Sequence, residues 1–234
     1  MVEYEQKYVA KKRVQMMRYI PNDKYTIAWF KLAECVTKGE KEKAFGVYRL
    51  LKHSLEDQAY ANQLEGDLLS AFADEKAIEK YEHAAQLYYT QNRYKEAAIL
   101  YEELICNAEY NKQYMVRFID ACNHYPNKDA LLKKLIHVTT TLIEQKKEVT
   151  LASYLPELEE ASPILITVQI YLHMIVQDNL YKIQNNDGIK KILSQAADFL
   201  LKHNLNDELT HALASLQALH ESWYQFLCSY IGSR

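Results

Sequence analysis

Glycine and proline are scarce in this chain, and their scarcity excludes several kinds of fold. The 234 residues contain 5 glycines and 4 prolines, roughly a third of what an average protein of this length carries. Sandwiches and barrels need turn residues at short, regular intervals, so an all-β fold is not expected. Scattered glycines also cannot form a glycine-rich phosphate-binding loop. Both absences favour a helical protein.

Metal-ligand and redox patterns of cysteine are missing as well. The chain has four cysteines, and no two of them have the spacing of a C-x-x-C motif. The pattern therefore predicts neither a zinc ribbon nor a redox-active pair. We interpret Cys35, Cys106, Cys122 and Cys228 as free thiols buried in helices, and we expect no cofactor.

The chain also lacks a strong net charge and a long hydrophobic run. Its net charge of −3 gives no overall field that would attract nucleic acid. The most apolar stretch, from Ile164 to Val176, is too short to span a bilayer. The first residues lack the features of a secretory signal. We therefore expect a cytoplasmic protein with no transmembrane segment and no nucleic-acid partner.

Helical periodicity is present along almost the whole chain. We predict an all-α fold of about twelve helices, with connections short enough to make antiparallel hairpins. The expected organisation is a single helical array over residues 1–234. It comprises an N-terminal helix and break (1–22), a repeat core (23–125) and C-terminal helices (126–234). Pro156 and Pro163 interrupt the least regular stretch, so we expect a short, bent helix pair or hinge near 146–163.

An internal repeat supports this organisation. Three pairs of positions recur at a spacing of 33 residues: Ala33 and Gly66, Ala44 and Ala77, and Tyr48 and Tyr81. Small residues allow two helices to approach closely, and an aromatic residue one turn later fills the gap to the next hairpin. Gly66 is expected inside a helix, where glycine is unfavourable. We therefore expect a close helix crossing at Gly66.

The repeat resembles the tetratricopeptide repeat family over about residues 25–106. Trp29, Leu32 and Ala33 match the opening of the family's first helix, and the segment from Ala84 to Tyr101 matches best. The long helices resemble the SNAP-like branch of such proteins. This resemblance implies a right-handed solenoid of antiparallel helical hairpins. It also implies a non-enzymatic scaffold or adaptor that binds a protein or peptide. An irregular helical bundle is the alternative interpretation of the same spacing.

Two other functions remain open. Glu208 and His211 have the spacing of a metal-binding motif on one helical face, but no second copy of the motif exists. A helical enzyme or metal-binding protein is therefore an alternative without further support. The first expected helix mixes basic residues with aromatic ones, which also suits a nucleic-acid or membrane surface.

Tyrosine is the conspicuous surplus of this sequence, with 19 copies. Tyr81, Tyr88 and Tyr101 fit packing positions of the repeat. Tyr89 and Tyr94 are better placed for a partner-facing surface, where tyrosine supplies contact area at low entropic cost. We predict Tyr89, Tyr94 and Asn62 as possible partner-binding residues, and no catalytic or metal-binding ones.

Overall fold

The structure, a computed structural model, describes residues 26–125, 129–177 and 187–233. Within these ranges every regular element is an α-helix, as the composition predicts. The N-terminal helix expected within residues 1–22 lies outside the described residues. No helix in the described ranges is both long and apolar enough to cross a bilayer.

The chain divides into two compact units, the first ending at Asn107 and the second beginning at Ala108. The described helices of the first unit are α1 (Thr26–Thr37), α2 (Lys41–Lys52), α3 (Gln58–Ala71), α4 (Ala77–Thr90) and α5 (Tyr94–Asn107). Those of the second unit are α6 (Lys112–Asn123), α7 (Asp129–Glu144), α8 (Glu148–Ala161), α9 (Ile164–Ile175), α10 (Asp187–Lys202), α11 (Asn206–Leu219) and α12 (Glu221–Gly232).

Five of these helices end in a residue with left-handed backbone conformation, although the chain has few glycines. After each one, the next N–H binds a carbonyl five residues back, as Lys147 does to Leu142 at 2.9 Å. This closure satisfies carbonyls that the helix end would leave unpaired. The left-handed residues are Gly39, Ala73, Asn92, Lys146 and Asn204. Four of the five turns are therefore built without glycine.

The α3–α4 hairpin confirms the close crossing expected at Gly66. A Cβ atom on Gly66 would lie 2.8 Å from Cδ1 and Cε1 of Tyr81, which is closer than packed atoms tolerate. The Tyr81 hydroxyl donates to Asp67 at 2.9 Å, and the Tyr88 hydroxyl donates to Gln63 at 2.8 Å. Later residues of α4 thus meet earlier residues of α3, so the two helices are antiparallel.

Helices two apart in sequence also meet in the first unit. The Lys41 ammonium at the start of α2 lies 2.8 Å from Asp74, which precedes α4. The rings of Trp29 in α1 and Tyr60 in α3 are 6.4 Å apart. Arg93, directly before α5, pairs with Asp57, directly before α3. These contacts bring together the starts of α2 and α4 and the starts of α3 and α5.

In the second unit, helices two apart form much of the core. Helix α8 packs on both α6 and α10, and α10 packs on α12; α9 likewise packs on α7 and α11. A Cβ atom on Gly188, in the first turn of α10, would lie 2.8 Å from the Glu148 carbonyl carbon and the Val149 nitrogen. Gly188 therefore marks a close approach of α10 to the backbone of α8.

The bent helix pair expected near 146–163 is wrong, because α8 runs unbroken from Glu148 to Ala161 with Pro156 inside it. Pro156 is exposed, so its ring faces solvent. Leu151, Leu155 and Leu158 are each at most 2% exposed on the opposite side. Burial of these side chains outweighs the one backbone hydrogen bond that proline removes.

The tyrosine surplus serves largely as a set of connections between helices. Tyr48 of α2 donates to Glu65 of α3 at 3.0 Å, and Tyr230 of α12 donates to Asp198 of α10 at 2.8 Å. Tyr171 of α9 donates to Glu159, and its ring packs 5.6 Å from that of Phe199. Each ring fills apolar space while its hydroxyl remains hydrogen-bonded. Tyr81, Tyr88 and Tyr101 are buried, as predicted.

All four cysteines are free thiols, as expected from their spacing. Three of them are buried. Cys228 of α12 is only half-buried, so the expectation of complete burial is wrong at that position.

Candidate functional site

The turn between α4 and α5 brings two of the predicted partner-binding residues together. Tyr89 lies in the last turn of α4 and Tyr94 begins α5. Their ring centres are 5.5 Å apart and the ring planes meet at 82°, an edge-to-face pair. The Tyr94 hydroxyl donates to Asn92 Oδ1 at 2.7 Å. Both side chains are partly exposed. We call Tyr89 and Tyr94 the tyrosine pair.

Arg93 fixes the position of this turn. Its guanidinium carbon lies 4.3 Å from the ring centre of Tyr88, in cation–π geometry. Arg93 also pairs with Asp57, and its Nε donates to Glu96 at 3.1 Å. Burial favours the neutral form of Asp57, but the hydrogen bonds from Arg93 and the Tyr60 N–H outweigh it and lower the pKa. The tyrosine pair therefore sits on a turn that is anchored to the start of α3.

Asn62, the third predicted residue, does not join the tyrosine pair through any described contact. It lies on α3, where its Nδ2 donates to the Gln58 carbonyl of the same helix at 2.8 Å. This local bond is the ordinary behaviour of an asparagine on a helix surface. Whether Asn62 contacts a partner stays a prediction, as it does for Tyr89 and Tyr94.

A polar groove in the second unit was not predicted from the sequence. It has a volume of about 430 Å³ and runs along one side of α6 to the last residue of α8. We call it the α6 groove. Its lining residues are Gln113, Val116, Arg117, Ile119, Asp120, Asn123 and Ala161.

The start of α6 is tied to α8 by a group of aromatic and polar side chains. The rings of Tyr110 and Tyr154 are 4.8 Å apart. The Tyr110 hydroxyl donates to Glu157 Oε1 at 3.0 Å, and the Asn111 N–H donates to the Tyr154 hydroxyl at 3.3 Å. Asn111 also caps α6 by accepting from the Gln113 N–H at 3.0 Å. These contacts position α6 against α8 and so define the groove.

Two buried oxygens near the end of α8 have no hydrogen-bond partner in the described part of the chain. They are Oε2 of Glu157 and Oγ of Ser162. Ser162 is 8% exposed, and it follows Ala161 directly. The Ser162 hydroxyl makes no capping hydrogen bond to the helix that follows it. Burying a polar atom without a hydrogen bond costs about 1–3 kcal/mol of stability.

The α6 groove left a weak signal in the sequence. The buried residues of α6, including Tyr114 and Phe118, follow helical spacing. Polar residues Gln113, Arg117 and Asp120 recur at intervals of three or four on another side of the helix. Such a stripe is typical of any solvated helix face. The neighbouring end of α8 turns it into a groove, and that placement depends on the tertiary fold.

Comparison with known proteins adds no relative. No family model matches the chain, and no curated protein or solved structure is significantly similar to it. The resemblance to tetratricopeptide repeats thus rests on the residues of the repeat alone. Glu208 and His211 share α11. In the described residues, no three His, Cys, Asp or Glu side chains form a group suited to a metal ion.

Proposed function

We propose that the protein is a non-enzymatic scaffold or adaptor that binds a protein or peptide partner. In this proposal each unit is a right-handed stack of antiparallel helical hairpins of the tetratricopeptide type. The observation that carries it is the contact between helices two apart, because stacked hairpins bury their faces against the next hairpin. The Lys41–Asp74 and Thr140–His173 contacts are each made across 33 residues, the period of the sequence repeat.

A stack of this kind supplies an extended and rigid surface. Hydrogen-bonded left-handed turns and hydroxyl contacts between helices hold the hairpins in fixed positions. A surface that is already ordered loses little conformational entropy when it binds, so more of the contact energy appears as affinity. These properties suit a binding protein.

The tyrosine pair is the part of the first unit that we propose to contact the partner. Tyr89 and Tyr94 are partly exposed and aromatic, and Arg93 anchors their turn. Aromatic side chains with limited rotational freedom are the common anchors of protein interfaces.

The proposal is tested by affinity capture from the cells that naturally produce the protein, followed by quantitative mass spectrometry. Wild-type protein is compared with Tyr89→Ser/Tyr94→Ser and with a control, His83→Ser/Gln86→Ser, on the exposed side of α4. We expect a reproducible, stoichiometric partner whose recovery falls at least tenfold for the tyrosine variant and is unchanged for the control. If replicate captures recover no stoichiometric partner, the scaffold function is rejected.

If the tyrosine variant recovers as much partner as the wild type, the scaffold function stands, but the tyrosine pair is not part of the interface. Circular dichroism of both variants serves as the folding control, because the substituted side chains are partly or fully exposed.

A further inference from the structure

We propose that the exposed side of α9 is a self-association surface, on which the α9 helix of a second copy of this chain packs in the antiparallel direction. This inference goes beyond the scaffold function, since the partner is the same chain. It begins with the composition of α9. Among the described helices, α9 alone contains no Asp, Glu, Lys or Arg. A helix that is apolar on all sides is normally buried on all sides.

Only one side of α9 is buried. This core side consists of Thr167, Ile170, Tyr171 and Met174. The opposite side carries four residues, which we call the α9 stripe: Leu165, Gln169, Leu172 and, directly after the helix, Val176. Leu165 is 69% exposed and Val176 is 42% exposed. Single apolar residues are ordinary on a protein surface, but a row of them on an uncharged helix is typical of an interface.

The spacing of the α9 stripe makes it complementary to itself. Its residues are separated by four, three and four positions, so a two-fold axis between Ile170 and Tyr171 superimposes the stripe on its own copy. In an antiparallel pair, Leu165 of one copy would meet Val176 of the other. Intervals of three and four are those at which two helices interlock their side chains. Two-fold dimers are the commonest oligomers, and their interfaces are especially apolar.

Gln169 adds a polar contact with the same symmetry. In the antiparallel pair, the Gln169 positions of the two copies are separated along the helix axis by three residues of helical rise, about 4.5 Å. A carboxamide has both N–H donors and a carbonyl acceptor, so two carboxamides can pair with each other. The α9 stripe also carries no charge that would repel its own copy or require an opposite charge on a different partner. These properties favour a second copy of the chain as the occupant.

Sedimentation velocity of the full chain tests the self-association. One helical stripe is a small interface, so we expect a weak dimer with a Kd of about 10–100 μM. Leu165→Glu should raise the Kd at least tenfold, because association would bury an unpaired carboxylate. The control is Leu50→Glu on α2, which replaces a leucine of similar exposure, 76%, and should leave the Kd unchanged. Circular dichroism verifies that both variants are folded.

Disulfide cross-linking under oxidising conditions tests the orientation of the two helices. The variants are made in a Cys228→Ser background, because the other three native cysteines are buried. A mixture of Leu165→Cys and Val176→Cys chains should form disulfide-linked dimers, since these positions face each other in the antiparallel pair. Leu165→Cys alone should form none, because its two copies lie about 16 Å apart along the helices, which is too far for a disulfide.

Three results would overturn the proposal. They are a wild-type chain that stays monomeric over this concentration range, a Leu165→Glu variant that associates as tightly as the wild type, and a Leu165→Cys variant that cross-links to itself. A monomeric chain would mean that the α9 stripe has a different occupant. Each of these results leaves the scaffold function untouched, because that function is tested by the capture of a different protein.

Discussion

Small residues lie between consecutive helices in the first unit and between helices two apart in the second. In the first unit Gly66 lies under the Tyr81 ring of the next helix, and alanines such as Ala84 and Ala97 are fully buried in α4 and α5. In the second unit Gly188 lies against the backbone of α8, two helices earlier. The most extensive contacts follow the same division, joining α3 to α4 and α4 to α5 in the first unit and α8 to α10 in the second. The comparison teaches that small residues mark the closest helix pair, whichever pair that is.

The largest expected effect comes from the two crowded glycines. Gly188→Ala places a methyl group against backbone atoms, which cannot move aside, and should lower the free energy of unfolding by about 3 kcal/mol. Gly66→Ala meets a side chain and should cost about 1–2 kcal/mol. Urea unfolding followed by circular dichroism measures both, and hydrogen exchange assigns each loss to its unit.

The matched control for these variants is Gly46→Ala in α2. No atom lies within 4 Å of a Cβ built on Gly46, so alanine should stabilise the helix by about 1 kcal/mol. If Gly188→Ala and Gly46→Ala change stability equally, close approach does not explain the glycine positions.

Lowering the pH should raise the stability of the first unit and lower the stability of the second. Burial raises the pKa of Glu103 in α5 to about 7, against a weaker opposing hydrogen bond from Asn107. The folded state therefore binds a proton more tightly than the unfolded one, and this group adds about 3 kcal/mol of stability to the first unit as the pH falls from about 7 to 4.5. Glu103→Gln should remove that gain.

His173 in α9 should make the second unit less stable as the pH falls. Burial lowers its pKa, and its Nε2 lies 3.2 Å from both Thr140 Oγ1 and Gln177 Nε2. Stability of the second unit should be complete above pH 6.5 and should fall as pH drops through the lowered pKa of the folded state. Hydrogen exchange at pH 5 and pH 7 measures both units, with His173→Gln as the control. A parallel response of the two units would contradict this assignment.

Removal of a tyrosine hydroxyl should lower the free energy of unfolding more in the second unit than in the first. Tyr171 is fully buried, and burial keeps its pKa far above the usual range, so it remains a donor to Glu159. Tyr171→Phe should cost about 2 kcal/mol because Glu159 loses this donor.

Tyr48→Phe is the comparison in the first unit. Glu65 would retain Lys52 at 3.2 Å and Lys80 at 3.1 Å, so we expect a loss of about 1 kcal/mol or less. Thermal unfolding of the two variants measures the difference. Equal losses would mean that the lysines do not support Glu65.

The smallest expected effects concern the left-handed turns. Ala73 has φ 53° and Lys146 has φ 58°, a conformation in which a Cβ atom is unfavourable. Ala73→Gly in the first unit and Lys146→Gly in the second should each raise stability by about 0.5–1 kcal/mol. Gln86→Gly, in the interior of α4, should instead lower it by about 1 kcal/mol. Differential scanning calorimetry resolves these shifts, and a loss at either turn would contradict the role of its backbone conformation.

Features that depend on neighbours in the chain were predictable. The all-α class, the buried positions of Tyr81 and Tyr88 and the crossing at Gly66 all follow from helical spacing and the repeat. The tyrosine pair was predicted as two separate residues. Its edge-to-face geometry depends on the turn at Asn92. The left-handed conformation of Asn92 was not predictable, because no glycine marks this position.

Features that depend on distant segments were not predictable. Pro156 favours a helix break locally, yet burial of the opposite face of α8 keeps the helix continuous. The helical chain that starts at Asn206 is interrupted at His220, where φ is −150° and ψ is 81°, and a second helix follows it. The α6 groove exists because the end of α8 lies beside a polar stripe that resembles any solvated helix face.

The sequence by itself determined that this protein is helical, where its first repeat lies, and which glycine must sit at a crossing. These properties are local, since hydrophobic spacing and side-chain size act within a few turns of helix. The tertiary structure alone decided that α8 passes through Pro156, that Gly188 supports an approach between helices two apart, and that a groove forms on α6. Each of these results depends on surfaces that meet only after residues far apart in the chain have packed together.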